Sequence, residues 1–297
     1  MKPYEPALHR DMAHQVLRRL LLRGAVPYTP HPGDWDWWTF HADPRDRTEQ
    51  LIGPHALASV AIGEIAMDNG EVDAFGMSAE EAIELGRAML PGIRFTMSHV
   101  SVSDHVRVGA LTVAGFELAG PPAPLFERRT SGAIPMSVDG FEIRPLQGEH
   151  EHAARADAAR LAFASTLEPE VHRARYLRFM RSPAYVADRD LVAVAPDGTI
   201  ASFAIYWPDA ELSLAQFEPV GTHPDFQRRG LARAVLHEGL ARLAAAGIER
   251  ARVMTGGANE PARSTYLAIG FELVDQIGAY RAPASFESVR SRDIAGH

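Results

Sequence analysis

Gln227-Arg228-Arg229-Gly230-Leu231-Ala232 is the most informative segment of this chain. It follows a strand-like segment, Leu212 to Thr222, and opens a long amphipathic helix. A glycine-bearing turn at a helix start directs several free backbone N–H groups at one spot, and the helix dipole adds positive potential there. Such a turn can hold a pyrophosphate, and its two arginines add charge for the phosphate oxygens.

A second pattern lies downstream, between Asn259 and Phe271, and predicts a loop, a short helix and a glycine turn into a last strand. Together the two segments resemble the GNAT-type N-acetyltransferase superfamily. The family's acetyl-CoA loop has the pattern Gln/Arg-x-x-Gly-x-Gly/Ala, which is satisfied here by Gln227, Gly230 and Ala232. Its later pattern, Asn…Tyr…Gly-Phe, is matched by Asn259, Tyr266, Gly270 and Phe271. The resemblance covers about residues 141 to 283.

The composition sets limits on the kind of protein. The chain has 297 residues, enough for two domains, and a formal net charge of −8. It has no cysteine, which excludes disulfides and a protein thiol nucleophile and fits a cytoplasmic location. The acidity argues against nucleic acid as a partner, and no apolar run is long enough to predict a membrane span. No pattern indicates an oligomeric state.

A faint internal repeat divides the chain. The sequence Gly115-Phe116-Glu117-Leu118 recurs as Gly270-Phe271-Glu272-Leu273, an offset of 155 residues (270 − 115). Helix, strand, short helix and Gly-Phe strand are predicted in the same order upstream of both. We therefore expect an α/β protein of two tandem GNAT-like domains, residues 1–130 and 138–297, each with a mixed, mostly antiparallel central sheet flanked by helices. A linker rich in proline and glycine, around Gly120 to Gly140, separates them.

The N-terminal copy lacks the marks of the cofactor site. The residues that correspond to the Gln227–Ala232 turn, Val72 to Met77, hold one glycine and no arginine. Leu111 stands in the place of Tyr266, and Asp104 in the place of Asn259. We expect this copy to be degenerate, to bind no acetyl-CoA, and to pack against the other copy and help to shape the acceptor cleft.

In the C-terminal copy, the resemblance implies an acetyl-CoA site. The strand before the turn is expected to splay from its neighbour, so that its free backbone groups pair with the pantetheine arm and one N–H polarises the thioester carbonyl. The expected cofactor-binding residues are Val220, Gly221, Thr222, Gln227, Arg228, Arg229, Gly230, Leu231, Ala232, Asn259 and Arg263. Arg263 is equally well explained as a solvated helix residue.

Two residues are expected to be catalytic. By resemblance, Tyr266 points at the cofactor sulfur as a general acid, since a phenol stays protonated at neutral pH. The alternative is a tyrosine packed on the core. Glu218 lies in the strand that leads to the acetyl site and can act as general base, directly or through water, or can instead recognise a cationic substrate. His223 is a further candidate base, although a His-Pro turn is more often structural.

Other clusters carry less weight. His150-Glu151-His152 has metal-capable side chains but lacks the i, i+4 spacing of a zinc site, and we expect no metal. The segment Trp35 to His41 is predicted to be a strand whose tryptophans pack in the core.

The predicted function is transfer of acetyl from acetyl-CoA to an amine of a small acceptor. The competing interpretation is an acyl-CoA-binding sensor without catalysis. A longer acyl chain is also compatible with the sequence.

Overall fold

The computed structural model describes residues 1–23, 28–43, 45–63 and 70–286. Within this part of the chain, one 13-stranded sheet is flanked by eight α-helices. The strands are β1 (Lys2–Pro3), β2 (Asp46–Ile52), β3 (Leu57–Gly63), β4 (Gly70–Phe75), β5 (Phe95–Ser101), β6 (Glu117–Leu118), β7 (Ala123–Arg129), β8 (Glu142–Pro145), β9 (Asp190–Val194), β10 (Ile200–Asp209), β11 (Leu214–Thr222), β12 (Arg250–Met254) and β13 (Glu272–Arg281). The helices are α1 (Pro6–Arg23), α2 (Pro32–Phe40), α3 (Ala79–Met89), α4 (His105–Val113), α5 (His152–Ala162), α6 (Pro169–Met180), α7 (Leu231–Ala245) and α8 (Glu260–Ala268).

The element order repeats, as the sequence predicts. Each half begins with a short strand and two helices, continues with three antiparallel strands, and then has a helix, a strand, a short helix and a final strand. The pairs β4–β5 and β11–β12 are parallel, and the other pairs within the described residues are antiparallel. The expected fold, two tandem units with mixed, mostly antiparallel sheets flanked by helices, is therefore confirmed.

The two halves exchange their last strands. The sheet order is β1-β2-β3-β4-β5-β13-β7-β12-β11-β10-β9-β8. Strand β7, from the N-terminal half, lies beside β12, and the end of β13, from the C-terminal half, lies beside β5. Each half thus completes the sheet of the other. The domain limits 1–130 and 138–297 stay a prediction about the sequence repeat, because strand pairing interleaves the halves.

Helix α7 packs against the strands of the C-terminal half. Its buried side chains recur with helical spacing and pack on β9, β10 and β11. Gly239 allows the closest approach, since a Cβ there would lie 2.6 Å from the Phe217 ring. Burial of each leucine on this face contributes on the order of 2 kcal/mol, so the start of α7 is firmly positioned.

The prediction of a strand at Trp35 to His41 is wrong, because this segment forms α2. His31 caps the helix: its imidazole accepts from the backbone N–H of Gly33, and the backbone N–H of His31 donates to the Asp34 carboxylate at 2.8 Å. Pro32 adds a fixed φ at the first helical position. Apolar alternation suggested a strand, but the capping residues outweigh it.

Candidate active site

Strand β11 loses its neighbour on one side. Its pairing with β12 runs from Leu214 opposite Arg250 to Phe217 opposite Val253 and ends there. The strand continues to Thr222, paired with β10 alone, after a register shift opposite Glu218-Pro219, whose peptide bond is cis. The main chain from residue 218 to 222 therefore presents an edge without a strand partner.

Gly221 lies where this edge meets the underlying layer. A Cβ at this position would lie 2.3 Å from the ring of Phe203, so a larger residue would displace the ring. The Gly221 carbonyl accepts a hydrogen bond from the Ser202 hydroxyl at 2.8 Å. The glycine therefore keeps the edge close to the layer beneath it.

The turn after β11 leaves the start of α7 open. Gly230 is the N-cap, with φ +81°, and no side chain caps the helix among the described residues. Arg228 also has a positive φ of 61°. The first N–H groups of a helix have no partner within it. Those of α7 are consequently available as donors, with the helix dipole behind them.

A cavity of about 640 Å³, here named the turn cavity, lies over this helix start and the β11 edge. It is lined by Ala162, Phe163, Val220, Gly221, Thr222, Phe226, Gln227, Arg228, Gly230, Leu231, Ala232, Arg233, Asn259, Pro261, Ala262, Thr265 and Tyr266. Nine of the eleven predicted cofactor residues are among them. The structure thus brings most of the predicted set together around one space.

Arg229 and Arg263 lie outside this lining. The guanidinium of Arg229 stacks over Phe226, 5.3 Å from the ring centroid, and donates to the Asp225 carbonyl at 3.4 Å. Arg263 forms an exposed ion pair with Glu260 at 3.5 Å. Both arginines point to local partners on their own elements.

A second cavity of about 660 Å³, here named the inner cavity, lies between the two halves of the chain. Its wall combines Trp37, His41, Asp43 and Arg45 of the N-terminal half with residues of α5, α6, β11 and α8. The inner and turn cavities share Phe163, Val220, Asn259, Ala262 and Tyr266. A molecule in one cavity can therefore contact a molecule in the other at this junction.

Tyr266 lies at the junction. It is carried by α8 and is almost fully buried, with its ring packed between Phe126 and Phe271. Burial raises the pKa of its phenol well above the ordinary value, because the phenolate would lose its solvation. The hydroxyl therefore stays protonated at neutral pH and is available as a hydrogen-bond and proton donor.

Glu218 lines the inner cavity and hydrogen-bonds through its carboxyl group to Asp34 of α2. Burial raises the pKa of both carboxyl groups, and the Glu218 charge raises that of Asp34 further. The pair consequently binds a proton more readily than two separate, solvated carboxyl groups would. Sequence reasoning missed Asp34, whose only signal was its place in the capping box of α2.

His99 adds a positive charge near this pair. Burial disfavours its imidazolium, but Asp73, whose carboxylate lies 2.7 Å from the ring, outweighs burial and raises the pKa of His99 to about 9. The ring lies between Tyr28 and Trp38, and its charge lowers the pKa of Glu218. The charge of His99 therefore offsets part of the rise that burial causes in the pKa of Glu218, so residues of the N-terminal half influence the protonation of this carboxyl group.

Among the described residues, no helix is long and apolar enough to cross a bilayer. Within the same residues, no group of three or more His, Asp or Glu side chains is arranged to hold a metal ion.

The site lies in the part of the chain that matches a known family. Residues 156–271 match the model of the Acetyltransferase (GNAT) family. The mycothiol acetyltransferases of Mycobacterium sp. strains JLS and MCS are each 35% identical over 96 residues, which is 32% of this chain. The matched region spans 30% of the length of these curated relatives.

Solved structures extend the likeness to the whole chain. A GCN5-related N-acetyltransferase from Sphaerobacter thermophilus has a TM-score of 0.63 at 16% identity, with 95% of each chain covered. A tandem GNAT protein from the clavulanic acid biosynthesis pathway has a TM-score of 0.66 at 13% identity, covering 95% of this chain and 98% of the other. At these identities the structures support the tandem fold, and the family match supports acetyl transfer in general terms.

Proposed function

We propose that this protein transfers an acetyl group from acetyl-CoA to the amine of a small acceptor, directly and within its C-terminal half. The observation that carries the proposal is the meeting of two cavities beside the unpaired edge of β11. One cavity has the open helix start that suits a pyrophosphate. The other is lined by the half-buried carboxyl group of Glu218, which can accept a proton.

Acetyl-CoA would lie in the turn cavity. Its pyrophosphate would accept hydrogen bonds from backbone N–H groups at the start of α7, with Gln227 and Arg228 at its side. The pantetheine arm would pair with the β11 edge as an added strand. A backbone N–H near Val220 would then polarise the thioester carbonyl.

The transfer needs one base and one acid. The amine nitrogen attacks the thioester carbon, the C–S bond breaks, and an amide forms. Glu218 accepts the proton from the amine, directly or through water, and its raised pKa brings it closer to neutral pH. Tyr266 donates a proton to the leaving thiolate, since its own hydroxyl is protonated in the resting site.

The N-terminal half would supply structure to this site and no second acetyl-CoA site. Its contribution to the inner cavity comes from α2 and the residues that follow it, which carry Trp37, His41 and Asp43. Asp34 of α2 lies against the Glu218 carboxyl group, and the two groups can share a proton. We therefore expect one equivalent of acetyl-CoA per chain.

The competing function is a sensor that binds acyl-CoA without turnover. The inner cavity favours the transferase, because a sensor needs no second space at the thioester. Calorimetry with acetyl-CoA, followed by an assay of CoA thiol release with a panel of amines, tests the proposal. We expect one binding equivalent and amine-dependent thiol release. Binding without release on any amine would support the sensor, and two equivalents would overturn the assignment of the N-terminal half.

A further inference from the structure

Arg155 is a fully buried arginine in the wall of the inner cavity. It extends from α5, and its Nε donates to the Asp190 carboxylate at 3.0 Å. The guanidinium stacks over the ring of Phe203, 3.7 Å from the centroid. Its Nη1 and Nη2 have no hydrogen-bond partner among the described residues. Two buried, unpaired donors on a permanently charged group lower the stability of the fold, which indicates that a ligand supplies their hydrogen-bond acceptors.

The surroundings of Arg155 are electropositive. Burial and then the charges of Arg175, Arg160 and Arg155 lower the pKa of His172 to about 4. Burial and neighbouring arginines likewise hold the pKa of His41 well below its usual value. Both imidazoles are therefore neutral at pH 7 and face an excess of positive charge, in a chain whose net charge is −8.

The anions in the cavity wall are already engaged. Asp43 accepts from Arg45 at 2.9 Å and from Arg175 at 3.4 Å. Glu218 is paired with Asp34. Because these carboxylates already have partners, the acceptor for Nη1 and Nη2 of Arg155, here named the free fork, would be an anion supplied by a ligand.

The free fork lies close to the proposed acetyl site. The Phe203 ring is close to both, since the Arg155 guanidinium stacks over the ring and a Cβ at Gly221 on the β11 edge would lie 2.3 Å from its Cζ atom. An acceptor in the inner cavity would thus place an anionic group towards α5 and its amine towards β11.

We propose that Arg155 binds a carboxylate of the acceptor, so that the substrate is an amine that also carries a carboxylate, as in an amino acid. The two terminal N–H groups of a guanidinium match the two oxygens of a planar carboxylate in a bidentate pair. This inference rests on the proposed function, because only that function identifies the ligand as the acetyl acceptor. The preference for a carboxylate is argued separately, from the unpaired nitrogens of Arg155 in the cavity wall.

The first test compares each amino acid with its own carboxamide as acceptor. The amide has a less basic amine, so a larger fraction is nucleophilic at neutral pH, and the comparison is biased against the expected result. We expect the carboxylate form to have a kcat/KM at least roughly 10-fold higher, as one charge-assisted pair provides. Equal or better use of the amides would overturn the inference.

Arg155→Lys keeps the charge and removes the bidentate fork. We expect it to lower kcat/KM for the carboxylate acceptors roughly 10-fold more than kcat/KM for the amides, so that the preference for acids is lost. Arg173→Lys is the matched control, because Arg173 lies on α6 and pairs with the half-buried Asp157 and the exposed Glu170. The control should keep the wild-type preference. Parallel losses on acids and amides in Arg155→Lys would contradict the assignment.

A binding measurement on the wild-type protein covers the case in which the variant does not fold. N-acetyl amino acids and N-acetyl amino acid amides are titrated into the complex with CoA, and the acids should bind more tightly. Selective binding of acids without turnover on any amine would overturn the proposed function and support the carboxylate site. Turnover without preference for acids would overturn the carboxylate site alone.

Discussion

The two strand–turn–helix units of this chain, β4–α3 and β11–α7, share a framework and differ at the helix start. Three residues join β4 to α3, and Ser78 and Glu81 close the helix with a capping box, at 3.2 and 2.8 Å. The connection from β11 to α7 is longer, and its N-cap, Gly230, offers no side chain. In one half the capping box satisfies helix N–H groups internally, whereas in the other no side chain caps the helix.

A second difference lies beside the strands. The pairing of β4 with β5 ends at Val72, so β4 also leaves a gap. In that gap, Arg107 of α4 donates to the Ala74 and Met77 carbonyls at 2.9 and 3.0 Å. At the same offset of 155 residues in α8 stands Ala262, which lines both cavities. Arg107 therefore binds main-chain carbonyls at the end of β4, whereas the residue at the same offset in α8 borders two cavities.

The largest expected effect comes from Gly230→Asp. A carboxylate at the proposed pyrophosphate site would repel the phosphates of acetyl-CoA. We expect the affinity for acetyl-CoA to fall roughly 1,000-fold or more, as measured by calorimetry. Gly230→Asn is the matched control, because it has the same shape and the same left-handed backbone without the charge. It should lose far less affinity. If both variants bind as the wild type does, the pyrophosphate lies elsewhere.

Ala262→Arg would make the C-terminal half resemble the N-terminal half. The new arginine would occupy the junction of the two cavities and donate to the β11 edge as Arg107 does to β4. We expect acetyl-CoA affinity to fall roughly 300-fold, through lost space and lost backbone partners. Fluorescence or calorimetric titration measures this loss.

Ala262→Ser is the control for Ala262→Arg, since it adds one hydroxyl and should bind nearly normally. The reciprocal change, Arg107→Ala, should cost on the order of 2 kcal/mol of stability because two charge-assisted hydrogen bonds are removed. It should still leave one acetyl-CoA per chain. A second equivalent in Arg107→Ala would show that this arginine alone closes the N-terminal half.

Tyr266→Phe removes the proposed proton donor and keeps the packing against Phe126 and Phe271. We expect kcat to fall roughly 100-fold, as is typical for loss of a general acid, with little change in the affinity for acetyl-CoA. Steady-state kinetics at saturating acceptor measure kcat, and calorimetry measures the affinity for acetyl-CoA. Equal losses in kcat and affinity would point to a structural tyrosine.

The sequence predicted the parts of this molecule that are local. The turn from Gln227 to Ala232 and the Asn259 loop are short patterns, and the structure places most of their residues around one cavity. The Trp35 strand was wrong because alternation of apolar residues was weighed above the capping residues His31 and Asp34.

The missed features depend on distant partners. Asp34 contacts a carboxylate that is 184 positions away (218 − 34 = 184), and the strand exchange joins β13 to β5. Arg155 reads in the sequence as one of several arginines in α5 and α6. Only its burial against Phe203 and its unpaired nitrogens distinguish it.

The smallest expected effects are two opposite pH dependences of stability, one from each half. Asp73 holds the pKa of His99 at about 9, above its unfolded value, so its contribution is complete below about pH 6.5 and is lost as pH rises towards 9. His172 has its pKa lowered to about 4, so its contribution is complete above about pH 6.5 and is lost as pH falls towards 4.

Urea unfolding of His99→Asn and His172→Asn against the wild type, from pH 4 to 9, measures these contributions as differences. Asparagine suits position 99, where φ is +52°. The wild-type advantage over His99→Asn should fall by roughly 2 kcal/mol between pH 6.5 and 9, while that over His172→Asn stays flat there and falls below pH 6.5. Because the neighbouring charges are the same in each pair, the difference isolates one imidazole. If both advantages change in the same direction with pH, one of the two assignments is wrong. Either Asp73 does not hold His99 as an ion pair, or the arginines of α5 and α6 do not keep His172 neutral. The contrast between the acidic neighbour of His99 and the basic neighbours of His172 would then fail.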